Sequence, residues 1–207
     1  MKDFYERYWT DKLPKMKLFG NPPKQEDSKR NFELCKIWLK GKILDYGCGE
    51  GHLVNIVNNW PIFIKATECF GVDISERAVE RARKLYPKDR FFPLNSHFSI
   101  QFDAVTCFDV MEHIFDFDEL FTYIKYHLKP KGLFIIGTNE MCFLKMVAIG
   151  LFYMDTFFHP YSPHIRFFTR KTLTDLLESK GFEVIYYERI GNHFGLSVGQ
   201  FMVAKLK

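Results

Sequence analysis

The alternation of apolar and polar positions changes character at Ser28. Residues 14–27 (PKMKLFGNPPKQED) are rich in Pro, Lys and Gly and predict a loop or loose arm. From Ser28 apolar residues recur at helical spacing, with Phe32, Cys35, Trp38 and Leu39 on one face. Lys42–Tyr46 (KILDY) is a short apolar run that ends in a glycine turn, as a buried strand does, and Gly51–Asn59 begins a helix. Thr67–Ile74 reads as a second strand. Ser75 then caps a helix whose apolar side is Ala78, Val79, Ala82, Leu85 and Tyr86. Phe91–Leu94 and Phe102–Phe108 are the third and fourth strands, Asp118–Leu128 a helix, and Leu133–Thr138 a fifth strand after a Pro-Lys-Gly turn. The segment 140–168 breaks this rhythm. After it Thr169 caps a helix through Leu173, Leu176 and Leu177 that Gly181 stops, and Glu183–Ile190 and Val198–Leu206 form a hairpin through GNHFG.

Strands alternating with helices predict an α/β domain: a doubly wound, mostly parallel seven-stranded sheet, covered on both faces, with a C-terminal antiparallel hairpin strand. In such sheets ligands bind beyond the carboxyl ends of the strands, which directs attention to the turns after Tyr46, Ile74, Leu94, Phe108 and Thr138. Residues 1–27 read as an N-terminal arm or cap and 28–207 as one domain with an insertion at about 140–168. The longest apolar run, Met141–Met154, is interrupted by Lys145. It falls short of the roughly 20 residues that span a bilayer, and predicts a helix folded over a site or one lying at a membrane surface.

Composition adds three constraints. The 29 basic and 25 acidic residues give a net charge of +4 and are interspersed, which makes nucleic acid an unexpected partner. Five cysteines form no CxxC pair, and the opening MKDFYERYWTDK has no apolar stretch of the secretory kind, so reduced thiols in a cytoplasmic protein are expected. Phenylalanine is in surplus, 23 residues beside 3 Trp and 10 Tyr, and the surplus divides between codon bias and the lining of a pocket.

The first turn is Asp45-Tyr46-Gly47-Cys48-Gly49-Glu50-Gly51, whose glycines permit a sharp bend and close approach of a ligand to the backbone. It is not the nicotinamide-dinucleotide pattern, since the third glycine would fall at His52, and it lacks the Lys-Ser/Thr of a phosphate loop. The second turn supplies Asp73, a carboxylate placed to accept the hydroxyls of a ribose; a plain turn with a capping acid is the bland alternative.

With these residues in register the chain resembles the class I S-adenosylmethionine-dependent methyltransferases, from about Phe32 onward. LDYGCGEG is similar to the family's first motif, GVDISERAVERAR to its second strand and helix, FDAVTCFDVMEHI to its fourth strand, LKPKGLFIIGT to its fifth, and HIRFFTRKTLTDLLESKGFEV to its late helix and sixth strand. The resemblance implies a Rossmann-like methyltransferase fold and S-adenosylmethionine as cofactor. It puts Asp45 near the ammonium, Gly47, Cys48 and Gly49 along the methionine part, Asp73 on the ribose, Ile74 against adenine, Asn95 where the family often has an acid, and Phe108 beside the cofactor. Tyr5, Tyr8 and Trp9 are candidates for a cap over it, or for a helix simply packed on the domain.

A sulfonium methyl is already activated, so the protein aligns an acceptor and, where needed, removes its proton. His113 is the candidate base. If Asp109, Glu112 and His113 share a helical face, they could instead bind a divalent cation, as in the similar E-x-x-E-H segment of ubiquinone-biosynthesis O-methyltransferases, or merely form a structural turn. The insertion would recognise the acceptor through Met141, Phe143, Met146, Phe152, Tyr153, Met154, Phe157 and Phe158, with His164 and Arg166 on the substrate side. The expected function is methylation of oxygen on a small, aromatic or lipophilic acceptor, with peripheral membrane contact an option. An RNA or protein methyltransferase and a non-catalytic cofactor-binding protein are the alternatives.

Overall fold

The structure, a computed structural model, describes residues 2–9, 25–60, 65–96, 98–159, 162–193 and 196–207. Helices α1 (Lys2–Tyr8) and α2 (Gln25–Cys35) lead into the alternating core. The core comprises β1 (Lys40–Tyr46), α3 (His52–Asn59), β2 (Lys65–Asp73), α4 (Glu76–Leu85), β3 (Arg90–Pro93), β4 (Phe102–Phe108), α5 (Phe117–His127) and β5 (Leu128–Thr138). Next come α6 (Phe143–Ala148), a π-helical turn (Ile149–Tyr153), α7 (Met154–Phe157), α8 (Arg170–Ser179), β6 (Phe182–His193) and β7 (Leu196–Leu206). The seven strands lie in the order β3-β2-β1-β4-β5-β7-β6. β1 to β5 are parallel, and β7 runs antiparallel between β5 and β6. The reversal of strand order between β1 and β4 opens the crevice predicted beyond their carboxyl ends.

Period-two patterning within the strands divides the core. Leu44, Val105, Phe134 and Ile136 face α5 and α8, where they meet Leu120, Phe121, Leu173 and Leu177. Ile43, Ala104 and Ile135 face the other way, onto Phe32, Leu53, Val57 and Val79 of α2, α3 and α4. Much of the phenylalanine surplus goes into these layers: Phe121 meets Phe134 and Phe182 at 6.0 and 5.8 Å between ring centres, and Phe70, Phe98 and Phe102 form a second group. Phe63, expected beside the core, lies outside the described residues.

Caps behave as the sequence predicts. Ser75 Oγ accepts from Ala78 N, and Thr169 forms a reciprocal capping box with Thr172. Asp116 caps α5, so that helix begins one residue before the expected Asp118. Pro130-Lys131-Gly132 is not a turn ahead of β5 but part of it. Lys131 has φ +62° and the register with β4 slips between Phe102 and Ala104, which absorbs the Pro as an irregularity. His127, at the end of α5, is buried.

Replacing Phe121 by Ala removes a ring enclosed on all sides and should cost about 3–5 kcal/mol in urea unfolding, whereas Phe143→Ala, on an exposed side chain, should cost under about 0.5 kcal/mol. Equal costs would contradict the core assignment.

Candidate functional site

The end of β1 is pinned to the end of β2. Gly47 N and Cys48 N both donate to Val72 O, at 2.8 and 3.0 Å. Gly47 holds φ +80°, and a Cβ there would meet Val110 Cγ2 at 2.3 Å; Gly49 holds φ +52° and donates its N–H to Asp73 Oδ2 at 2.9 Å. Neither position suits another residue. The second Asp73 oxygen accepts from Ser75 N at 2.9 Å, and Asp45 accepts from Thr106 Oγ1 at 2.7 Å.

Both carboxylates are buried. Burial pushes Asp45 up to about 7, against the pull of Thr106 and with a further push from Asp73. Asp73 is pushed up to about 6 by burial despite its backbone donors. Among the described residues neither is held down chiefly by a Lys or Arg. Two buried acids over a bent glycine turn form a receptor for a ligand rich in hydroxyl and ammonium donors. The Cys48 thiol between them is raised well above its ordinary range by burial and by Asp73, so it is not a nucleophile.

Helix α1 lies over this turn. Trp9 is buried with its ring 3.3 Å from where a Gly49 Cβ would stand. Glu6 accepts from Glu76 N at 2.6 Å and pairs with Arg77, while Lys2 pairs with Glu76. Tyr5 is held edge-on to His113 at 6.0 Å, and its phenol is raised by burial and, within electrostatic reach, by Glu112 and Asp73. Tyr8 packs edge-on to Tyr5 and Trp9.

A second cluster begins at Glu112, which is buried in the 3₁₀ turn Met111–His113 after β4. Its oxygens accept from Thr138 Oγ1 at 2.8 Å and Asn139 Nδ2 at 3.0 Å, and its carbonyl accepts from Ile165 N and Arg166 N. His113 is fixed through Nδ1 to Pro163 O at 2.9 Å, and its ring lies 4.8 Å from that of His164. Burial lowers the His113 pKa; burial, His113 and Lys145 push His164 down to about 4. Beside them opens a cavity of about 350 Å³, its mouth included, lined by Glu112, Asn139, Met141, Lys145, Phe157, His164, Arg166, Phe167 and Phe168.

Residues 1–187 of the chain match the family described as a methyltransferase domain. The chain belongs to the class I S-adenosylmethionine-dependent methyltransferases. It is 30% identical over 150 residues to a "Probable S-adenosylmethionine-dependent methyltransferase" of Mycolicibacterium smegmatis, covering 69% of this chain and 52% of that one, so it spans about half that relative's length. It is 27% identical over 186 residues to a ubiquinone biosynthesis O-methyltransferase of Coxiella burnetii, covering 78% and 74%. The fold is shared with a magnesium protoporphyrin IX methyltransferase of Synechocystis solved with S-adenosylhomocysteine bound, at a TM-score of 0.65 and 15% identity over the full length of both chains. The cofactor of this methyltransferase is S-adenosylmethionine, and the acidic, glycine-lined turn has the donor-accepting chemistry to receive it.

Other expected residues are distributed as follows. Ile74 is half-buried beside Asp73, and Asn95 is exposed in the turn after β3, where Leu94 N donates to Asp73 O. Phe108 stacks on Phe201 and lines a smaller cleft with Arg30 and Asn31; the residue against Gly47 is Val110, two positions on. Asp109 does not share a helical face with Glu112 and His113. It sits at φ +54° and helical geometry starts only at Met111, so Asp109, itself exposed, turns toward Asn31 and Arg30. The group whose ligand atoms do converge, within 4.8 Å of one another, is Glu112, His113 and His164. Of the aromatic and methionine residues assigned to the acceptor side, Met141 and Phe157 face the cavity, whereas Phe143, Met146, Phe152, Tyr153, Met154 and Phe158 are exposed. Trp9 was a candidate for the cap, whereas Val110, Thr106, Thr138 and Asn139 were not assigned a role from the sequence, since they carry commonplace side chains whose partners lie far along the chain.

An acid whose folded pKa is raised favours folding fully below its unfolded pKa, near 4, and that contribution is lost as pH rises through the folded value. For Asp45 the window runs from about 4 to about 7 and for Asp73 from about 4 to about 6, with Glu112 shifted in the same direction; the lowered His113 and His164 act oppositely below about 6.5. Asp45→Asn keeps the acceptor for Thr106 and should stabilise the ligand-free protein at pH 8 by on the order of 3 kcal/mol while changing little at pH 4. Thermal melts at the two pH values check this, and a pH-independent effect would refute the raised pKa.

Proposed function

We propose that this methyltransferase methylates an oxygen of a lipophilic, aromatic acceptor held in the cavity beside His113. The observation that carries the reading is the double tie from the Glu112–His113 turn to residues 163–166, which holds the His113 imidazole against His164 at the edge of a cavity whose apolar wall is Met141, Phe157, Phe167 and Phe168. The relative named as a ubiquinone biosynthesis O-methyltransferase supports oxygen as acceptor atom and a lipid-like acceptor.

S-adenosylmethionine, when bound, supplies a methyl already activated for transfer. In this reading Asp73 accepts the ribose hydroxyls and Asp45 takes the ammonium. Gly47, Cys48 and Gly49 offer backbone along the methionine part, Ile74 and Asn95 border the adenine, and Phe108 stands nearby. Tyr5 and Tyr8 close the site from α1 and exclude water. Residues 140–168 form a lid whose inner wall is Met141 and Phe157. Arg166 brings a buried Nε without a partner among the described residues, a donor for a polar acceptor atom. His164 is the other polar anchor.

His113 removes the acceptor's proton. Its Nδ1 faces Pro163 O and so carries the hydrogen, leaving the lone pair on Nε2; burial keeps the ring neutral at pH 7. Glu112, His113 and His164 could also receive a divalent cation. Against that use, both Glu112 oxygens already accept hydrogen bonds and the Lys145 ammonium lies close enough to lower His164.

Incubation with methyl-labelled cofactor and fractionated cell extract should label the lipid or quinone fraction; label in RNA or protein alone would overturn the acceptor class. His113→Asn should lower kcat by about 10²–10⁴ with S-adenosylhomocysteine affinity unchanged. Because the base acts neutral and its pKa is lowered, the wild-type rate should be flat above pH 7 and fall only below the ordinary histidine range. Asp73→Asn should weaken S-adenosylhomocysteine by tenfold or more in calorimetry. Chelator-treated protein should keep its activity; loss restored by magnesium would make the Glu112 cluster a cation site.

A further inference from the structure

Two cations at the wall of the acceptor cavity lack a neutralising acid. Lys145 and Arg166, both half-buried, border it beside the apolar wall of Met141, Phe157, Phe167 and Phe168. Lys145 Nζ donates to Glu140 O at 3.0 Å and Arg166 Nη2 to Phe115 O at 3.0 Å, so each head is held by a neutral carbonyl. The guanidinium also lies over the Phe117 ring, 5.7 Å from its centre, while its Nε is buried without a hydrogen-bond partner. Among the described residues neither cation comes within ion-pair distance of a carboxylate, whereas Lys129, Lys171, Lys180 and Arg189 each do.

The neighbouring acids are already engaged. Glu140, whose charge reaches Lys145, turns its carboxylate to Tyr187 Oη at 2.9 Å and Arg189 Nε at 3.0 Å. Glu112 borders the cavity, but its oxygens accept from Thr138 and Asn139, and burial pushes its carboxyl pKa up. The two cations flank His164: Lys145 is close enough to help lower it, and Arg166 follows it by two residues. Taking a cation out of water without a counter-charge is costly, and a wholly apolar acceptor would be served better by Leu or Met at both positions. Rings on one wall and two unneutralised cations on the other fit a ligand that is apolar over most of its surface and anionic at one end.

We propose that the acceptor is an aromatic carboxylate, with Lys145 and Arg166 as the residues that select it by binding its carboxylate. This rests on the reading of the cavity as the acceptor site and adds the chemical class that the cavity takes. Lys145 has donors left beyond the one spent on Glu140 O, and Arg166 offers Nε, which together match the two oxygens of a carboxylate. The carboxylate positions the molecule and is not the group that is methylated; the oxygen served by His113 is a separate hydroxyl.

Calorimetry with 2-naphthoate, 2-naphthamide and 2-naphthyl phosphate, on the full chain saturated with S-adenosylhomocysteine, tests this. Naphthoate should bind at least about tenfold more tightly than the amide of the same shape, and more tightly than the phosphate. Lys145→Gln and Arg166→Gln should each weaken naphthoate about tenfold while leaving the amide within about twofold, a split that a merely structural role would not produce. Arg166→Lys, which keeps the charge and loses Nε, should fall between. Equal affinity for acid and amide, no binding of naphthoate, or variants that keep the preference would overturn the proposal. Tighter binding of naphthyl phosphate would overturn the carboxylate in favour of a phosphate. Label from cell extract recovered only in a neutral lipid would overturn the anion assignment alone, whereas label only in RNA would overturn the acceptor reading even with naphthoate bound.

Discussion

Two backbone donors on one acceptor hold the crevice of this molecule in shape. Gly47 N and Cys48 N converge on Val72 O, which carries the parallel pairing of β1 with β2 past Tyr46 into the turn. That pairing places Asp45 and Asp73 on neighbouring strands beside the bend, and the Gly49 N–H reaches Asp73. The bend is available only because Gly47 and Gly49 adopt left-handed backbone where Val110 and Trp9 leave no room for a Cβ.

Glu112 performs the corresponding task on the other side of the crevice. One buried carboxylate gathers Thr138 and Asn139 from the end of β5, while its own carbonyl collects the backbone of 165–166. Three chain segments distant in sequence are thus held around one residue. Breaking such a hub leaves buried donors without partners, which costs more than the loss of a surface pair. Tyr5 then spans the two halves, within electrostatic reach of both Asp73 and Glu112.

What was legible in the sequence follows the range of the interactions. Strand and helix order, the caps at Ser75 and Thr169, and the antiparallel final strand depend on local pattern and turn chemistry, and the structure has them where the pattern puts them. The acids at 45 and 73 were legible because strand ends in a parallel sheet are fixed by topology. Asp109 shows the limit. Spacing alone put it on a face with Glu112 and His113, but a left-handed residue before the 3₁₀ turn redirects it, and a local pattern carries no sign of that strain. His164 takes the third place through a contact about fifty residues long in sequence, which periodicity does not encode. The apolar run 141–154 was visible as apolar, but which side of it faces the protein is decided by its buried anchors Met141 and Ile149.

The seat of helix α1 is held in two unlike ways. Trp9 is buried against Gly49. The ties to α4 are a carboxylate on a backbone N–H and ion pairs open to water, Lys2 with Glu76 and Arg77 with Glu6. Such pairs are weak and screened by salt. Raised ionic strength therefore loosens the polar half of the seat and leaves the packing of Trp9 to hold α1 over the glycine turn.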